Sequence, residues 1–288
     1  MQTASVLRVV TVLQAVAIGG CSLLVETDRQ QCVVDSDCTA RGEAFTDSVC
    51  IDSWCTAEPK WSCLGAPQSK PASLHSFPVT LHLQDIQTQQ PLAGVQARLC
   101  RKSDPKCVQP ETETVMSDAL GVVRFALGVE EDKPRRFAGF VKLVRDDLVP
   151  ALYNFNPPVE HEVDIAPVQL LSRSGSEALA RQLGATFDAG RGSVLLSVFD
   201  CTGDPAGGVT IATDDSDERA ARFYSVAGLP LTKATATDTS GYAGLVNVAP
   251  STIAITGRIA SNQRSLGTIS LPVQAGAITY SRMAPGDE

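Results

Sequence analysis

Pro91-Leu92-Ala93-Gly94-Val95, followed by Ser117-Asp118-Ala119-Leu120-Gly121-Val122, returns later in the chain as Pro205-Ala206-Gly207-Gly208-Val209, followed by Thr237-Asp238-Thr239-Ser240-Gly241-Tyr242. Such an internal repeat points to two copies of one structural unit. Each copy is embedded in alternating sequence. In the first, Phe77, Val79, Leu81 and Leu83 alternate with Pro78, Thr80, His82 and Gln84, and the signal recurs at Val95/Ala97/Leu99, Val123/Phe125/Leu127 and Phe137/Gly139/Val141/Leu143. In the second it runs through Val194/Leu196/Val198, Val209/Ile211, Leu245 to Val248, Ile253/Ile255, Ile269/Leu271/Val273 and Ile278/Tyr280. A period of two marks strands with one buried face, and short strands separated by Asp, Gly and Pro turns predict antiparallel sandwiches. The Asp-x-x-Gly piece predicts a tight turn whose glycine accepts positive φ.

The expected fold class is therefore mainly β, with sandwiches over residues 77–172 and 193–288. Between them, over 173–192, Ser174-Gly175-Ser176-Glu177 has the form of a capping box, Ala178, Leu179, Ala180 and Leu183 follow at helical spacing, and Gly184 can end the helix. One short bridging helix is expected there. The repeated segments resemble carboxypeptidase regulatory-like or transthyretin-like sandwich modules, over about two hundred residues. Asn247-Val248-Ala249-Pro250-Ser251 stands where such modules usually carry a Pro-Gly-like turn, and the first copy has a charged loop from Glu130 to Arg136 instead. The resemblance implies an accessory fold that does no chemistry and serves adhesion, spacing or support.

At the N-terminus, Met1 to Arg8 carry one positive charge, Val9 to Ile18 are mostly apolar, and Gly19-Gly20 lead to Cys21. That run is too short for a membrane span, which needs about twenty apolar residues, and it reads as an export leader. Ile18-Gly19-Gly20-Cys21 resembles the lipobox of bacterial lipoprotein precursors, although the usual pattern has Leu and Ala or Ser at the positions of Ile18 and Gly19. The resemblance implies cleavage after residue 20, a lipid on Cys21, and a membrane partner reached through that anchor. Ser22 after the acylated cysteine agrees with sorting to the outer membrane. Residues 21–31 then form a lipidated tether.

The chain has nine cysteines. Lipidation of Cys21 leaves Cys32, Cys38, Cys50, Cys55, Cys63, Cys100, Cys107 and Cys201, an even set of the kind found in oxidising compartments. Their possible pairings number on the order of a hundred. Cys100 and Cys107 flank the turn-forming Ser103-Asp104-Pro105 and suit a local bridge. The N-terminal cluster then has an odd count, so one member, Cys63 at its downstream end, reaches Cys201, and Cys32 with Cys50 and Cys38 with Cys55 complete the set. Residues 32–65 form a module too small to bury a core without such crosslinks, loosely similar to growth-factor-like repeats. Structural zinc is the competing reading, but C-x-x-C is absent and no histidine lies in the cluster. Residues 66–76, with Pro67 and Pro71, read as a linker.

Of the 288 residues 43% are hydrophobic and only 5% aromatic, and the formal charge of -8 falls to about -9 once Arg8 leaves with the leader. An acidic surface without basic clusters excludes nucleic acid as a partner. Three histidines, His75, His82 and His161, restrict acid-base and metal chemistry. Glu160-His161-Glu162 reads as an exposed strand with its carboxylates on one face, and His82 sits on the polar phase of its strand. Gly-x-Ser-x-Gly, His-Glu-x-x-His and phosphate-binding glycine loops are missing, so no enzyme, catalytic residue, metal site or cofactor is expected. Asp214-Asp215-Ser216-Asp217-Glu218 could attract calcium but lacks the glycine and terminal glutamate of the twelve-residue loop; a solvated loop is the simpler reading, as it is for Asp35-Ser36-Asp37. Trp54, Trp61, Phe223 and Tyr224 could meet a sugar or peptide, with core or edge packing the expectation. The function expected is that of an envelope lipoprotein with a noncatalytic display, scaffolding or adhesion role toward a protein or glycan. The alternatives are a carbohydrate- or small-ligand-binding lipoprotein and an accessory subunit of a surface enzyme.

Overall fold

A computed structural model describes residues 30–42, 45, 48–51, 53–57, 59–64, 77–127, 136–186, 188–214 and 217–286. The leader, Cys21, nearly all of the tether, the linker 66–76 with His75, and all of the charged loop but Arg136 lie outside them. The cysteine-rich segment holds α1 (Asp35–Thr39), β1 (Ser48–Ile51) and β2 (Trp54–Ala57). The first repeat comprises β3 (Phe77–Asp85), β4 (Gln96–Arg101), β5 (Val115–Met116), β6 (Val122–Leu127), β7 (Gly139–Val144), β8 (Ala151–Asn154) and β9 (Val163–Leu170). After α2 (Arg173–Leu183), the second comprises β10 (Gly192–Val198), β11 (Val209–Thr213), β12 (Ala221–Val226), β13 (Leu229–Leu231), β14 (Tyr242–Val248), β15 (Thr252–Ile259), β16 (Ser265–Pro272) and β17 (Ile278–Met283). None of the described helices is long and apolar enough to cross a membrane.

The two copies share one topology. In the first, β3 lies antiparallel to β6 and parallel to β9; in the second, β10 lies antiparallel to β14 and parallel to β17. Opposite these, β4 pairs with β7 and β7 with β8, just as β11 pairs with β15 and β15 with β16. The parallel neighbours arise because the last strand of each copy returns beside the first, a direction that residue alternation does not encode.

The repeated motif works as a clasp, and the clasp is duplicated almost atom for atom. The Ser117 hydroxyl donates to the Leu92 carbonyl (2.6 Å) and accepts from the Val95 N–H (2.9 Å). The Thr237 hydroxyl donates to the Ala206 carbonyl (2.7 Å) and accepts from the Val209 N–H (3.0 Å). Both side chains are buried, so each one satisfies two backbone groups that would otherwise be orphaned inside the protein. The next residue builds the turn: Asp118 accepts from the N–H groups of Leu120 and Val122, and Asp238 from that of Ser240. Gly121 (φ +74°) and Gly241 (φ +70°) close it, and a Cβ on either would stand 2.3 Å from the Leu83 carbonyl or 2.5 Å from the Val198 carbonyl. Only glycine fits both the dihedral and the gap.

Two cores result. Val79, Leu81, Leu83, Leu99, Val123 and Phe125 lie in the first, and Val194, Leu196, Ile211, Leu245, Ile255 and Leu271 in the second. The copies are fused through β17, which pairs in parallel with β10 on one side and with β8 of the first copy on the other. A nine-stranded sheet follows, in the order β13-β12-β14-β10-β17-β8-β7-β4-β5. Ile278 and Tyr280 belong to the first core and Met283 to the second, and β17 is buried on both faces except at Arg282, as expected of a central parallel strand. A buried polar pair marks the seam, where Ser281 Oγ donates to the Asn154 carbonyl at 3.3 Å.

Helix α2 lies between the copies in sequence, but its cap is Ser172, not Ser174: Ser172 Oγ accepts from the Gly175 N–H at 3.0 Å. Gly184 ends it in the left-handed conformation (φ +62°). Its Leu183 packs with Phe223 and Val246, so the helix covers the face of the long sheet opposite the second core. A second helix, the one-turn α1, stands in the cysteine-rich segment, where Asp37 accepts from the N–H groups of Val33 and Val34.

Candidate functional site: an open sandwich edge and the disulfide framework

The four bridges are Cys32–Cys50, Cys38–Cys55, Cys63–Cys201 and Cys100–Cys107; the local Cys100–Cys107 bridge is the one that spacing alone supports. Cys50 and Cys55 face each other across β1 and β2, and their bridges fasten this hairpin to Cys32 and to Cys38 in α1. The sulfurs of Cys32, Cys38 and Cys55 lie within 4.8 Å of one another, but all three are bonded as disulfides and offer no thiolate to a metal. Cys63–Cys201 ties the cysteine-rich segment to the loop after β10. Beside it Trp61 is buried in the second core, and Lys60 Nζ donates to the Gly207 carbonyl at 2.9 Å. Cys100 and Cys107 pack with Phe140 and Leu152.

The other singled-out residues fall as follows. Phe223 and Tyr224 are buried, as is Trp61, and Trp54 is half-buried, so three of the four aromatic rings serve packing. His82 Nε2 meets Asp164 Oδ1 at 2.8 Å across the parallel β3/β9 pair. His161 is exposed but not in a strand; Glu160-His161-Glu162 precedes β9, and Glu160 pairs with Arg136 rather than presenting a face with Glu162. The cis Asn156–Pro157 bond just upstream belongs to the turn after β8, a break in the strand that local alternation does not signal. In the acidic run Asp214 accepts from the Ala254 N–H at 2.9 Å. Asp217 is held well below the usual carboxylate range, at about 2, by the Arg219 backbone N–H and then by the Arg191 guanidinium 2.6 Å away. Asp35 accepts from the Cys50 N–H. Asp37 is lowered by the Val33 and Val34 N–H groups, so both acids serve the backbone.

The largest difference between the copies lies where the chain crosses from β4 to β6, or from β11 to β14. In the first copy this crossover covers the free edge of β4: β5 pairs antiparallel with it, Ala97 opposite Val115, and the Glu111 N–H donates to the Leu99 carbonyl at 2.8 Å. In the second copy the crossover forms β12 and β13, which add to β14 on the opposite sheet instead. The β11 edge is therefore closed by side chains. Tyr224 OH accepts from the Ile211 N–H at 3.0 Å, and exposed Arg222 donates through Nη1 to the Ile211 carbonyl at 2.6 Å. Beside them opens a cleft of about 470 Å³ lined by Ile211, Ala212, Ala220, Ala221, Ala234 and the core residue Leu245, among others. A second cleft of about 440 Å³ is lined by Arg101, Lys102 and Arg136, and its two arginines are engaged by Glu111 and Glu160.

Of the residues lining the β11 cleft, only Asp217 belongs to a stretch with a chemical signature, the acidic run, and nothing in the sequence brings it together with Arg222 and Ile211. The signal available was the mismatch in length between the crossovers, 102–121 against 214–241.

No family model matches the chain, and no curated protein matches it. Among solved structures it is similar to the Bacillus anthracis TIE protein (11% identity, TM-score 0.26, over 73% of this chain and 34% of that one). It is similar also to the shaft pilin SpaA from Lactobacillus rhamnosus GG (13%, 0.23, over 73% and 98%) and to GBS52, the minor pilin of Streptococcus agalactiae (11%, 0.24, over 73% and 95%). The chain thus spans about a third of the TIE protein's length. Superpositions this loose carry no argument about what the present chain does.

Proposed function

We propose that the protein is an envelope lipoprotein, acylated at Cys21 and held at the outer membrane, with a noncatalytic display, scaffolding or adhesion role. The observation that carries this reading is the sulfur count. Nine cysteines are present and the other eight close four bridges, so Cys21, preceded by Ile18-Gly19-Gly20, stands outside the disulfide framework. Two or three acyl chains there would hold the protein firmly, at about 0.8 kcal/mol per buried methylene. The mature chain would then extend from the bilayer through the tether to the crosslinked module and the fused sandwiches, a rigid display unit. Metabolic labelling with an alkyne fatty acid tests the anchor: label and membrane partition are expected in the native protein and lost in Cys21→Ser. Label retained by the variant, or a cytosolic native protein, would overturn it.

A further inference from the structure

We infer that Cys63–Cys201 is a redox switch: a vicinal dithiol opens this bridge ahead of the other three, and its opening releases residues 59–64 from the second copy. Access singles it out. Each of the other bridges has at least one partner in the interior, Cys32 at 3% exposed, Cys38 at 0%, and Cys100 and Cys107 at 0% and 7%. Cys63 and Cys201 are both half-buried. Exchange needs a thiolate to reach one sulfur while the other departs, and only here does neither residue lie in the core. The departing sulfur is also provided for. The Cys63 N–H donates to Cys201 Sγ at 3.1 Å, and a backbone donor at that distance stabilises negative charge as it collects on the sulfur. No other bridge sulfur accepts a backbone N–H among the described residues. Cys201 is therefore the better leaving group, and Cys63 Sγ is the atom attacked.

One thiolate of the dithiol attacks Cys63 Sγ and forms a mixed disulfide there, as the Cys63–Cys201 bond breaks and its electron pair leaves on Cys201 Sγ. The second thiolate then attacks the reductant's own sulfur, closes the reductant to a cyclic disulfide and expels the Cys63 thiolate. The dithiol is oxidised, its two protons pass to Cys63 and Cys201, and the bridge becomes two thiols. What then holds the segment lies within a few residues of the break. Trp61 sits in the second core, Lys60 Nζ donates to the Gly207 carbonyl at 2.9 Å, the Cys201 N–H donates to the Lys60 carbonyl at 2.9 Å, and Arg264 donates to the Leu64 carbonyl at 3.5 Å. One short stretch makes all four contacts, so it leaves as a unit once the crosslink is gone. The Cys32–Cys50 and Cys38–Cys55 bridges stay closed and keep the β1/β2 hairpin fastened.

The test treats the full-length oxidised protein in detergent with graded dithiothreitol, quenches with N-ethylmaleimide and maps the labelled peptides. Cys63 and Cys201 should label at least tenfold faster than any other bridged cysteine. Cleavage within residues 59–64 by a brief protease pulse should rise at least tenfold in step with that labelling, and fall back when an unlabelled sample is reoxidised. A short exposure to glutathione should leave its adduct on Cys63 rather than on Cys201. Another bridge opening first, all four opening together, an adduct mainly on Cys201, or residues 59–64 still protected once both cysteines are labelled would each overturn the inference. None of these results bears on acylation of Cys21, so this reading and the anchor fail separately.

Discussion

Replacing Thr237 by valine keeps the shape of the side chain and removes one oxygen, which makes it a clean probe of the clasp. That oxygen bonds the Ala206 carbonyl at 2.7 Å and the Val209 N–H at 3.0 Å in a site 5% exposed. Both backbone groups are left buried without those partners. Each such loss costs roughly 1–3 kcal/mol, so with some relaxation the sum is about 2–4 kcal/mol. With a urea dependence of about 2 kcal/mol per molar, the unfolding midpoint of the second copy should fall by about 1–2 M. Trp61, one of two tryptophans, sits in the second core and reports that transition by fluorescence. Ser117→Ala is the matched perturbation in the first copy, where the same two contacts exist. A loss below about 0.5 kcal/mol for Thr237→Val, the range of ordinary surface changes, would refute the claim that this hydroxyl organises the fold.

Three further outcomes follow from the same geometry. Trp61→Ala removes a side chain 3% exposed in the second core and should cost about 3–5 kcal/mol, seen as a lower melting temperature; an unchanged melt would mean that the cysteine-rich segment does not dock there. Opening the 138-residue Cys63–Cys201 loop with a double serine variant should cost at most about 5 kcal/mol and expose residues 59–64 to proteolysis ahead of the sandwiches, whereas simultaneous digestion would contradict a localised tether. Asp217, whose carboxyl is depressed to about 2, is ionised above its ordinary value of about 3.9, so its bonds to the Arg219 N–H and then to the Arg191 guanidinium stabilise the fold in full above that pH, a stabilisation lost as pH falls through about 2. A carbon-detected titration with a midpoint near 4 would show that neither bond forms.

What was legible in the sequence is what one strand can announce alone. β3, β10 and β15 alternate cleanly because one face meets a core and the other does not. The Asp-x-x-Gly turns were legible because Gly121 and Gly241 occupy positions that other residues cannot. β12 was missed since Phe223 packs under α2 while Tyr224 enters the second core, so adjacent large residues are both buried and the period disappears. The seam between the copies was not legible either: Ile278 and Tyr280 announce β17 as a strand, but not that both of its faces are buried or that it pairs in parallel with β8. The helix start differs from the expectation by two residues because Ser172 and Ser174 are equivalent as caps in sequence, and only the fold shows Ser172 Oγ accepting from the Gly175 N–H.

The most direct measurement is the intact mass of protein extracted from the membranes of its native host, followed by mapping of its peptides without reduction. The account requires a chain that begins at Cys21, carries a diacylglycerol and acyl mass on that residue, and yields the linked pairs Cys32–Cys50, Cys38–Cys55, Cys63–Cys201 and Cys100–Cys107. An unprocessed chain with free thiols, or Cys21 recovered in a disulfide with any of the other eight, would contradict it.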